Sequence, residues 1–359
     1  MLILYITYID FGVTTSGSSV RPQKMYKAFI DEGHQVKLLS GGQGNLRTRY
    51  TRIDAVAEIT RWLDGNRPDL CYIESPVYPI MWAADRKLIR RVHRMGVPIG
   101  YFYRDFYWKF PELYPRRKDL TGALKERFLD LQQNRTDALL RCADIVYFPS
   151  REAGEFFPFR DKRALPPAGE NGNPIGPGEA NTSIYVGGLS GDYGGEALLR
   201  AFALLNSGVG RYPLLLVCRE REWAAVPEEL KAAGDWLEVH HTSGDGLTPL
   251  YDRASLAVIP VQRNPYTDIS VNIKFFEYMS YGLPVASTDV TAVAGLVRDN
   301  GVGRVSGDSP EKIAENIRAM FADHESMKRW RENAVKMLRS RNLWIHRARQ
   351  VVEDLTSVK

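Results

Sequence analysis

The sequence predicts an α/β protein made of two doubly wound, Rossmann-like domains. Short apolar runs alternate with longer amphipathic segments along most of the 359 residues, which is the pattern of β-α-β units around a parallel sheet. A segment rich in Pro, Gly and Asn at 166–181 interrupts the alternation, which then starts again. Because a chain of this length exceeds the usual size of one hydrophobic core, we expect two domains joined by this linker.

The first half of the chain contains the elements expected of an N-terminal domain spanning 1–165. The run LILYITYI is the first strand, and helices are expected over Gln23–Glu32 and Ile53–Leu63. The further predicted strands are QVKLLS, LCYIES, PIGYFY and IVYFPS.

The second half repeats this order in a domain expected to span 182–340. Its predicted strands are SIYVGG, PLLLVC, WLEVHH, LAVIPV and PVAST, with helices at Gly195–Leu205 and Leu250–Ala254. Residues 341–359 are expected to form a C-terminal helix that packs back on the N-terminal domain.

Composition excludes several classes of protein. Apolar and charged residues make up 44% and 25% of the chain, as in folded globular proteins. No apolar run reaches the roughly 18 residues that span a bilayer, and the N-terminus lacks the basic region of a signal peptide. We therefore expect a cytoplasmic protein. Its three cysteines show neither disulfide nor metal-pair spacing.

Positive charge is concentrated in one part of the sequence. Residues 1–163 contain 27 Lys and Arg against 19 Asp and Glu, whereas the remainder is slightly acidic. Phosphates, anionic lipid head groups or nucleic acid could exploit such a field. Because no nucleic-acid-binding motif accompanies the charge, nucleic acid is not an expected partner.

The stretch NIKFFEYMSYGLPVAST, which begins at Asn272, is the most informative part of the sequence. Asn272 or Ser270 can cap a helix that Gly282 ends, and Lys274 and Glu277 share one face because they are three residues apart. A helix start after a parallel strand favours anions, so this pair could bind a phosphate and sugar hydroxyls. The alternative, a surface ion pair without function, is equally compatible with the spacing.

This stretch resembles the donor-site segment of retaining glycosyltransferases with the GT-B fold, family 4 (glycosyltransferase group 1), in the branch with the K-x-F-E-Y-M pattern. Four other segments also resemble that family: SGSSVRPQKMYKAFIDEGHQVKLLS, VPIGYFYRDFYWKFPE, SIYVGGLSGDYGGEALLRAF and LYDRASLAVIPV. The resemblance implies two Rossmann-like domains that face a cleft, with the second domain binding a nucleotide-diphosphate sugar and the first binding an acceptor.

By this resemblance Glu277 holds the ribose hydroxyls and Lys274 contacts the diphosphate. Backbone without Cβ near Gly17 would let phosphate approach its N–H groups. The residues assigned to the donor are Gly12, Ser16, Gly17, Arg21, Gly187, Gly188, Arg219, Asn272, Lys274, Phe275 and Glu277. The expected nucleotide is UDP.

The sequence departs from the family pattern at positions that normally carry charge. Gly188 and Tyr193 stand where many members have Arg and Lys next to the diphosphate. Ile269 replaces the first Glu of an E-x7-E pair, for which Asp268 or Thr267 could substitute. Replacement cations could be Lys274, Arg21, Arg219, Arg221 or Arg263, although an ordinary solvated side chain is the commoner role for each.

Breaking a glycosyl–phosphate bond leaves negative charge on the departing nucleotide, which the protein must stabilise. The sequence contains no D-x-D, so no metal cofactor is expected, and the helix start with Lys274 would act in its place. By resemblance the anomeric configuration is retained.

The aromatic-rich segment Tyr101–Arg117 follows a predicted strand and is assigned to acceptor binding and catalysis. Arg104 could bind a phosphate and Asp105 could orient the attacking hydroxyl, or the two could form an ion pair that only braces the loop. The residues assigned to catalysis are Arg104, Asp105, Lys274 and Glu277, and those assigned to the acceptor are Tyr103, Arg104, Tyr107 and Trp108.

The segment RKLIRRVHRMG, Arg86–Gly96, reads as a basic amphipathic helix. With the positive charge of 1–163 it suits peripheral contact with the inner face of the plasma membrane and a lipid-diphosphate-linked acceptor. A solvated helix face is the alternative.

We therefore expect a retaining, metal-independent hexosyl- or glycosyltransferase of surface polysaccharide or glycoconjugate biosynthesis, acting on a saccharide or lipid-linked acceptor. Two alternatives stay open. The missing Arg and Lys suit a catalytically silent glycosyltransferase-like binding subunit, and a sugar-nucleotide epimerase shares the same two-domain fold.

Overall fold

The computed structural model describes residues 1–12, 17–43, 46–115, 119–172, 176, 178–231 and 234–358. They form two compact units, of which the first comprises Met1–Pro166 with Trp344–Lys359 and the second comprises Pro167–Leu343. Each unit contains a parallel sheet with interleaved helices. The predicted α/β fold class with two Rossmann-like domains is confirmed.

The first unit is built on strands that the sequence marks by short runs of large apolar side chains. These strands are β1 (Leu2–Ile6), β2 (Gln35–Leu39), β3 (Leu70–Glu74), β4 (Ile99–Phe102), β5 (Ile145–Phe148) and β6 (Lys162–Ala164). The helices of this unit are α1 (Gly17–Asp31), α2 (Leu46–Gly65), α3 (Ala83–Arg94), α4 (Leu120–Leu139), α5 (Arg151–Gly154) and α14 (Trp344–Thr356). The described strands pair in the order β2-β1-β3-β4-β5-β6, all in parallel.

The second unit has the same alternation. Its strands are β7 (Ser183–Val186), β8 (Leu214–Val217), β9 (Leu237–His240), β10 (Leu256–Ile259), β11 (Val285–Thr288) and β12 (Gly303–Ser306). Its helices are α6 (Gly195–Leu205), α7 (Glu220–Ala224), α8 (Glu228–Lys231), α9 (Thr248–Arg253), α10 (Ile273–Ser280), α11 (Thr291–Asn300), α12 (Pro310–Ala322) and α13 (His324–Arg341). The described strands pair in the order β12-β11-β10-β7-β8-β9.

Strand β7 shows why the strands read as unbroken apolar runs. Successive side chains of a strand point to opposite faces of the sheet, and both faces are covered here. Ile184 packs in one buried cluster with Phe275 and Phe276 of α10, whereas Tyr185 packs in the other with Phe202 of α6. Two buried faces favour apolar residues at successive positions, and in β7 only the first residue, the buried Ser183, is polar.

The predicted linker is packed against the second unit along the part that the structure describes. The amide of Gly169 donates to the carbonyl of Asn342 at 2.9 Å, and that of Glu170 donates to Ser280 Oγ at 3.0 Å. A Cβ at Gly169 would lie only 2.5 Å from Leu338 Cδ1. Because there is no room for a side chain at this position, glycine here serves close packing, and its backbone forms a parallel bridge with Leu343.

Helix α14 returns the end of the chain to the first unit. Arg349 pairs with Glu32 next to the end of α1 at 2.8 Å, and Asp354 accepts from the Tyr147 hydroxyl at 3.1 Å. The Leu355 side chain lies 3.1 Å from the place where Gly100 would carry a Cβ. The helix thus covers β4 and β5. Within the described part of the chain, no helix is both long and apolar enough to cross a membrane.

A buried ion pair stabilises the first unit beside β1. The Arg52 guanidinium donates to Asp85 Oδ1 at 2.7 Å and to the Thr7 carbonyl at 2.7 Å, and lies 4.3 Å from the centre of the Tyr8 ring. Arg52 and Asp85 are each 1% exposed. Removing one charge from such a pair leaves the other without compensation in an apolar environment.

We predict that Arg52→Met lowers the free energy of unfolding by about 3–5 kcal/mol, because Asp85 becomes a buried, unpaired carboxylate. Urea unfolding measures the change. The matched control is Lys27→Met, which breaks the exposed Lys27–Asp31 pair on α1 and should cost about 0.5 kcal/mol or less. Equal losses in the two variants would contradict a special role for the buried pair.

Candidate functional site

The start of α10 lies at the edge of the second sheet where ligands bind in folds of this type. The helix follows β10 and precedes β11, which pair in parallel, so its N-terminus lies at the carboxyl ends of the strands. The Asn272 side chain caps it by accepting a hydrogen bond from the Lys274 amide at 2.8 Å. The side chain of Ser270, the other predicted cap, donates to the Tyr266 carbonyl instead.

Lys274 and Glu277 form the pair that the sequence predicts on this helix. Lys274 Nζ lies 2.7 Å from Glu277 Oε2, and the two side chains are 23% and 30% exposed. The other carboxylate oxygen, Oε1, accepts a hydrogen bond from the buried Tyr251 hydroxyl at 2.7 Å. The carboxylate is therefore held from two sides and still accessible to solvent.

Tyr251 was not among the predicted site residues. It lies on α9 and stacks on the Tyr281 ring with centroids 4.2 Å apart. Burial, followed by the neighbouring Glu277 carboxylate, raises the pKa of Tyr251 well above its usual value, so its hydroxyl stays protonated and donates. The sequence signal was weak, because a tyrosine in a short apolar helix reads as a core residue.

The predicted glycines after β7 lie next to α10. The Tyr278 hydroxyl of α10 accepts from the Val186 amide at 3.0 Å, and the Gly187 amide donates to the Val217 carbonyl at 3.0 Å. A Cβ at Gly188 would lie 2.9 Å from the Tyr193 ring. Gly188 and Tyr193, which replace the family's two cations, are thus neighbours in space.

Two predicted replacement cations of the second unit are engaged locally. Arg219 is half-exposed and pairs with Glu222 at 3.0 Å. Arg263 pairs with Asp268 at 3.2 Å. The Asp268 carboxylate also accepts from the amide and hydroxyl of Thr291 at the start of α11, so it caps a helix at the position where a second site carboxylate was considered.

In the first unit, Arg104 and Asp105 follow β4. Arg104 Nε lies 3.5 Å from Asp105 Oδ2, and the Arg104 amide donates to Ser75 Oγ at 3.2 Å. Asp105 has a left-handed backbone with φ of 58°, a conformation that Asp and Asn adopt more readily than other non-glycine residues. Burial raises the pKa of the Asp105 carboxyl, although Arg104 and a hydrogen bond from Tyr107 act against the change.

Glu74 is a buried carboxylate that the sequence reasoning missed. It ends β3, is fully buried, and accepts from Arg21 Nε at 3.0 Å and from the Tyr72 hydroxyl at 2.8 Å. Its negative charge also contributes, as the smallest of the causes, to raising the pKa of Asp105. An acidic residue at the end of an otherwise apolar strand, as in LCYIES, was the available signal.

Three predicted binding residues have buried side chains that a ligand does not reach in this structure. Arg21, predicted to contact the diphosphate, forms an ion pair with Glu74 instead. Its guanidinium carbon lies 3.6 Å from the centre of the Phe102 ring. Tyr103 accepts from Gln133 at 2.7 Å inside an aromatic cluster. Phe275 is fully buried in the core of the second unit.

The remaining predicted residues have varied positions. Tyr107 is exposed, Trp108 is half-buried, and the ammonium group of Lys109 lies 4.8 Å from the centre of the Trp108 ring. Gly12 has a positive φ of 89° with open space where a Cβ would be, and Gly17 begins α1. Ser16 lies outside the described residues. The described residues contain no cluster of three or more His, Cys, Asp or Glu that could hold a metal ion.

Comparisons with known proteins agree with this geometry. Residues 180–323 match the family model described as "Glycosyl transferases group 1", and this match lies within the second unit. No curated protein sequence matches the chain.

Solved structures resemble the chain over nearly its whole length. They include sucrose-phosphate synthase from Thermosynechococcus elongatus (TM-score 0.72, 14% identity, covering 100% of this chain and 99% of that one). WaaG, a glycosyltransferase involved in lipopolysaccharide biosynthesis, has a TM-score of 0.66 at 16% identity, covering 99% and 100%. HepE from Anabaena, in complex with UDP, has a TM-score of 0.62 at 16% identity, covering 99% and 100%. At these identities the likeness establishes the fold, which is GT-B as predicted.

The raised pKa of Asp105 predicts that its ionisation weakens the fold. At low pH the carboxyl is protonated in the folded and the unfolded chain, so it has no effect on stability. As pH rises, the unfolded chain releases the proton first, so stability falls between the unfolded and the folded pKa of Asp105 and stays lowered at higher pH. Asp105→Asn, which mimics the protonated form and tolerates the left-handed backbone, should raise the melting temperature at neutral pH and leave it unchanged below about pH 4.

Asp105→Ala is the control for backbone conformation, measured by the same thermal scans. It should be less stable than Asp105→Asn by about 1–2 kcal/mol, because alanine disfavours the left-handed region. A pH-independent difference between Asp105→Asn and the unsubstituted protein would contradict a raised pKa.

Proposed function

We propose that this protein is a retaining glycosyltransferase that moves a sugar from a nucleotide-diphosphate sugar to a saccharide or lipid-linked acceptor. The observation that carries the proposal is that the family match over 180–323 includes the start of α10, where Lys274 and Glu277 lie paired and accessible. UDP is the proposed nucleotide, supported by the UDP complex of the similarly folded HepE.

The donor would bind at the start of α10 through charge and hydrogen bonds. The partial positive charge of a helix N-terminus and the Lys274 ammonium group both attract a diphosphate. Glu277 can accept hydrogen bonds from the two ribose hydroxyls, since a carboxylate has several lone pairs. The same two positive groups would stabilise the charge that develops on the departing nucleotide, so we propose transfer without a metal.

The Lys274–Glu277 pair does not block this role. Both side chains are partly exposed, and an ion pair of that kind contributes only about 0–1 kcal/mol. A diphosphate carries more negative charge than a carboxylate and can therefore draw the ammonium group away. Glu277 keeps its hydrogen bond from Tyr251 when the lysine turns, so the carboxylate stays in place for the ribose.

The first unit would bind the acceptor. Arg104 offers a cation for an acceptor phosphate, and Tyr107 and Trp108 offer partly exposed rings on which a sugar can stack. Asp105 lies beside Arg104 and could orient the attacking hydroxyl. We propose that the acceptor belongs to surface polysaccharide or glycoconjugate biosynthesis, at the inner face of the plasma membrane, which the basic charge of 1–163 supports.

A catalytically silent nucleotide-binding subunit is the second candidate. The Tyr193 ring beside Gly188 stands where other members carry cations, so less positive charge is available to the leaving group. Turnover of a nucleotide sugar in the presence of acceptors would exclude this candidate. A sugar-nucleotide epimerase, the third candidate, would convert the donor with no acceptor present.

We predict that Glu277→Ala weakens UDP binding by about tenfold or more, because a hydrogen bond to a charged group contributes about 1.5–3 kcal/mol. Titration calorimetry with UDP measures the affinity, and sugar release from the nucleotide sugar measures turnover. Both should fall while the melting temperature stays near that of the unsubstituted protein.

The matched control is Glu315→Ala. Glu315 forms the same kind of pair with Lys312, three residues apart at 2.8 Å, on the exposed face of α12. It should leave UDP affinity unchanged. The proposed donor site would be contradicted if the unsubstituted protein did not bind UDP, or if Glu277→Ala bound UDP with the same affinity as the unsubstituted protein.

We predict that Tyr251→Phe raises KM for the nucleotide sugar about three- to tenfold, because Glu277 loses the hydrogen bond that positions it. Tyr251 is thus a positioning residue, and kcat should change less than KM. Steady-state kinetics measure both. The control, Tyr5→Phe, removes a buried tyrosine hydroxyl that donates to the Pro22 carbonyl in the first unit. If the two variants have the same KM, the positioning role fails.

A further inference from the structure

Helix α4 of the first unit turns a largely polar face towards the protein. Gln132 accepts from Arg86 Nη1 at 3.1 Å, and Gln133 donates to the Tyr103 hydroxyl at 2.7 Å. The Thr136 hydroxyl accepts from a backbone amide at 3.0 Å. All three α4 side chains are buried. Hydrogen bonds therefore hold this helix in place, together with apolar contacts at its C-terminal end.

A separate face of α4, about a third of a turn from the buried one, is apolar and exposed to solvent. Leu124, Phe128 and Leu131 are 64%, 49% and 47% exposed. Their spacing of four and three residues puts them in one line along the helix, which we call the outer stripe. Surface helices of water-soluble folds usually have the reverse arrangement. The fold does not need these side chains, so another reason for them is required.

The charges of α4 are sorted around the outer stripe. Lys125, Arg127 and Arg135 are exposed. At about 3.6 residues per turn, Lys125 and Arg127 lie on opposite sides of the outer stripe, and Arg135 continues it at its C-terminal end. The carboxylates of the helix share the other side, with spacings of four and seven residues. They are Glu126, Asp130 and Asp137.

The neighbouring helix α3 extends the positive surface. Lys87, Arg90 and Arg94 are exposed and lie three and four residues apart, so they share one face of the helix. Burial, followed by the nearby cations Arg135 and Arg90, lowers the pKa of Arg86. Arg86 also donates to Gln132 of α4, so the exposed cations of α3 lie on the helix that packs against α4.

We propose that the outer stripe and its flanking cations form a docking surface for an anionic lipid bilayer. An apolar line bordered by Lys and Arg is the pattern of helices that lie in the plane of a membrane interface, with side chains such as Leu and Phe among the acyl chains and cations at the phosphates. A protein partner would not by itself require cations on both borders of the stripe. Membrane docking itself does not depend on the proposed function. Its biological role does, because docking would bring the first unit to a lipid-linked acceptor.

The test is vesicle co-sedimentation of the full chain, measured without nucleotide sugar. The vesicles are phosphatidylcholine alone or phosphatidylcholine with one third phosphatidylglycerol. We expect binding to the anionic vesicles that weakens with added salt. Leu124→Ser/Phe128→Ser should lower the affinity about tenfold or more, and Arg127→Ser/Arg135→Ser should lower it about 25-fold, since each cation contributes about a factor of five.

The matched control is Leu204→Ser/Arg318→Ser, which removes one exposed leucine and one exposed arginine from the second unit and should bind vesicles normally. Failure of the unsubstituted protein to bind anionic vesicles, or normal binding by the Leu124→Ser/Phe128→Ser variant, would overturn the proposal. The proposal would also be overturned if the unsubstituted protein were a dimer that does not bind vesicles and the Leu124→Ser/Phe128→Ser variant were a monomer. That result would assign the outer stripe to contact with a second copy of the chain. UDP titration of the same variants reports on the donor site separately, so failure of lipid binding and failure of the proposed function are distinguishable.

Discussion

Parallel strand pairing is the constraint on which the rest of this structure depends. Because β7, β10 and β11 run in the same direction, the segments that follow them begin at one edge of the sheet. The glycines after β7 and the start of α10 meet there, although they are more than 80 residues apart in sequence. The hydrogen bond between the Val186 amide and the Tyr278 hydroxyl joins them directly. The candidate donor site is thus a consequence of sheet topology.

The chemistry at this edge depends on how one carboxylate is held. Glu277 is fixed by a buried hydroxyl on one oxygen and by a flexible lysine on the other. Only the second contact is easily exchanged, because the lysine is long, partly exposed and weakly bound. In the function we propose, this arrangement would keep an oriented acceptor for ribose hydroxyls and leave a cation available for phosphate.

The first unit shows two different uses of charge. Arg21, Glu74, Arg52 and Asp85 are buried in ion pairs that require specific partners, and their contribution is to position the strand ends. Most cations of α3 and α4 are exposed, and those of α4 border apolar side chains. Buried charge determines local geometry, whereas exposed charge acts on what approaches from solvent. The net positive charge of residues 1–163 therefore gives too high a count of the cations that a ligand can reach. It also does not show that the exposed cations are concentrated on α3 and α4.

The sequence by itself determined the fold class, ten of the twelve strands that the structure describes and a capped start for α10, but it missed β6 and β12 and left both Asn272 and Ser270 open as the cap. What it determined depends on local patterns: unbroken apolar runs for strands buried on both faces, helical periodicity, and an Asn before a helix that a Gly ends. It also placed Lys274 and Glu277 on one face, since three residues make nearly one helical turn. The starts of α1 and α2 were placed several residues too late, because helix ends depend on tertiary contacts as well as on local sequence.

Only the tertiary structure decided which polar side chains are available. Arg21 and Tyr103 looked suited to ligands but are enclosed by residues distant in sequence, and Tyr251 and Glu74 acquired their partners in the same way. The sequence also did not show that the outer stripe is exposed. Residue spacing shows which side chains share a face of a helix, but not which face the rest of the protein covers. Burial and long-range contact depend on how the whole chain packs, and a local pattern does not contain that information.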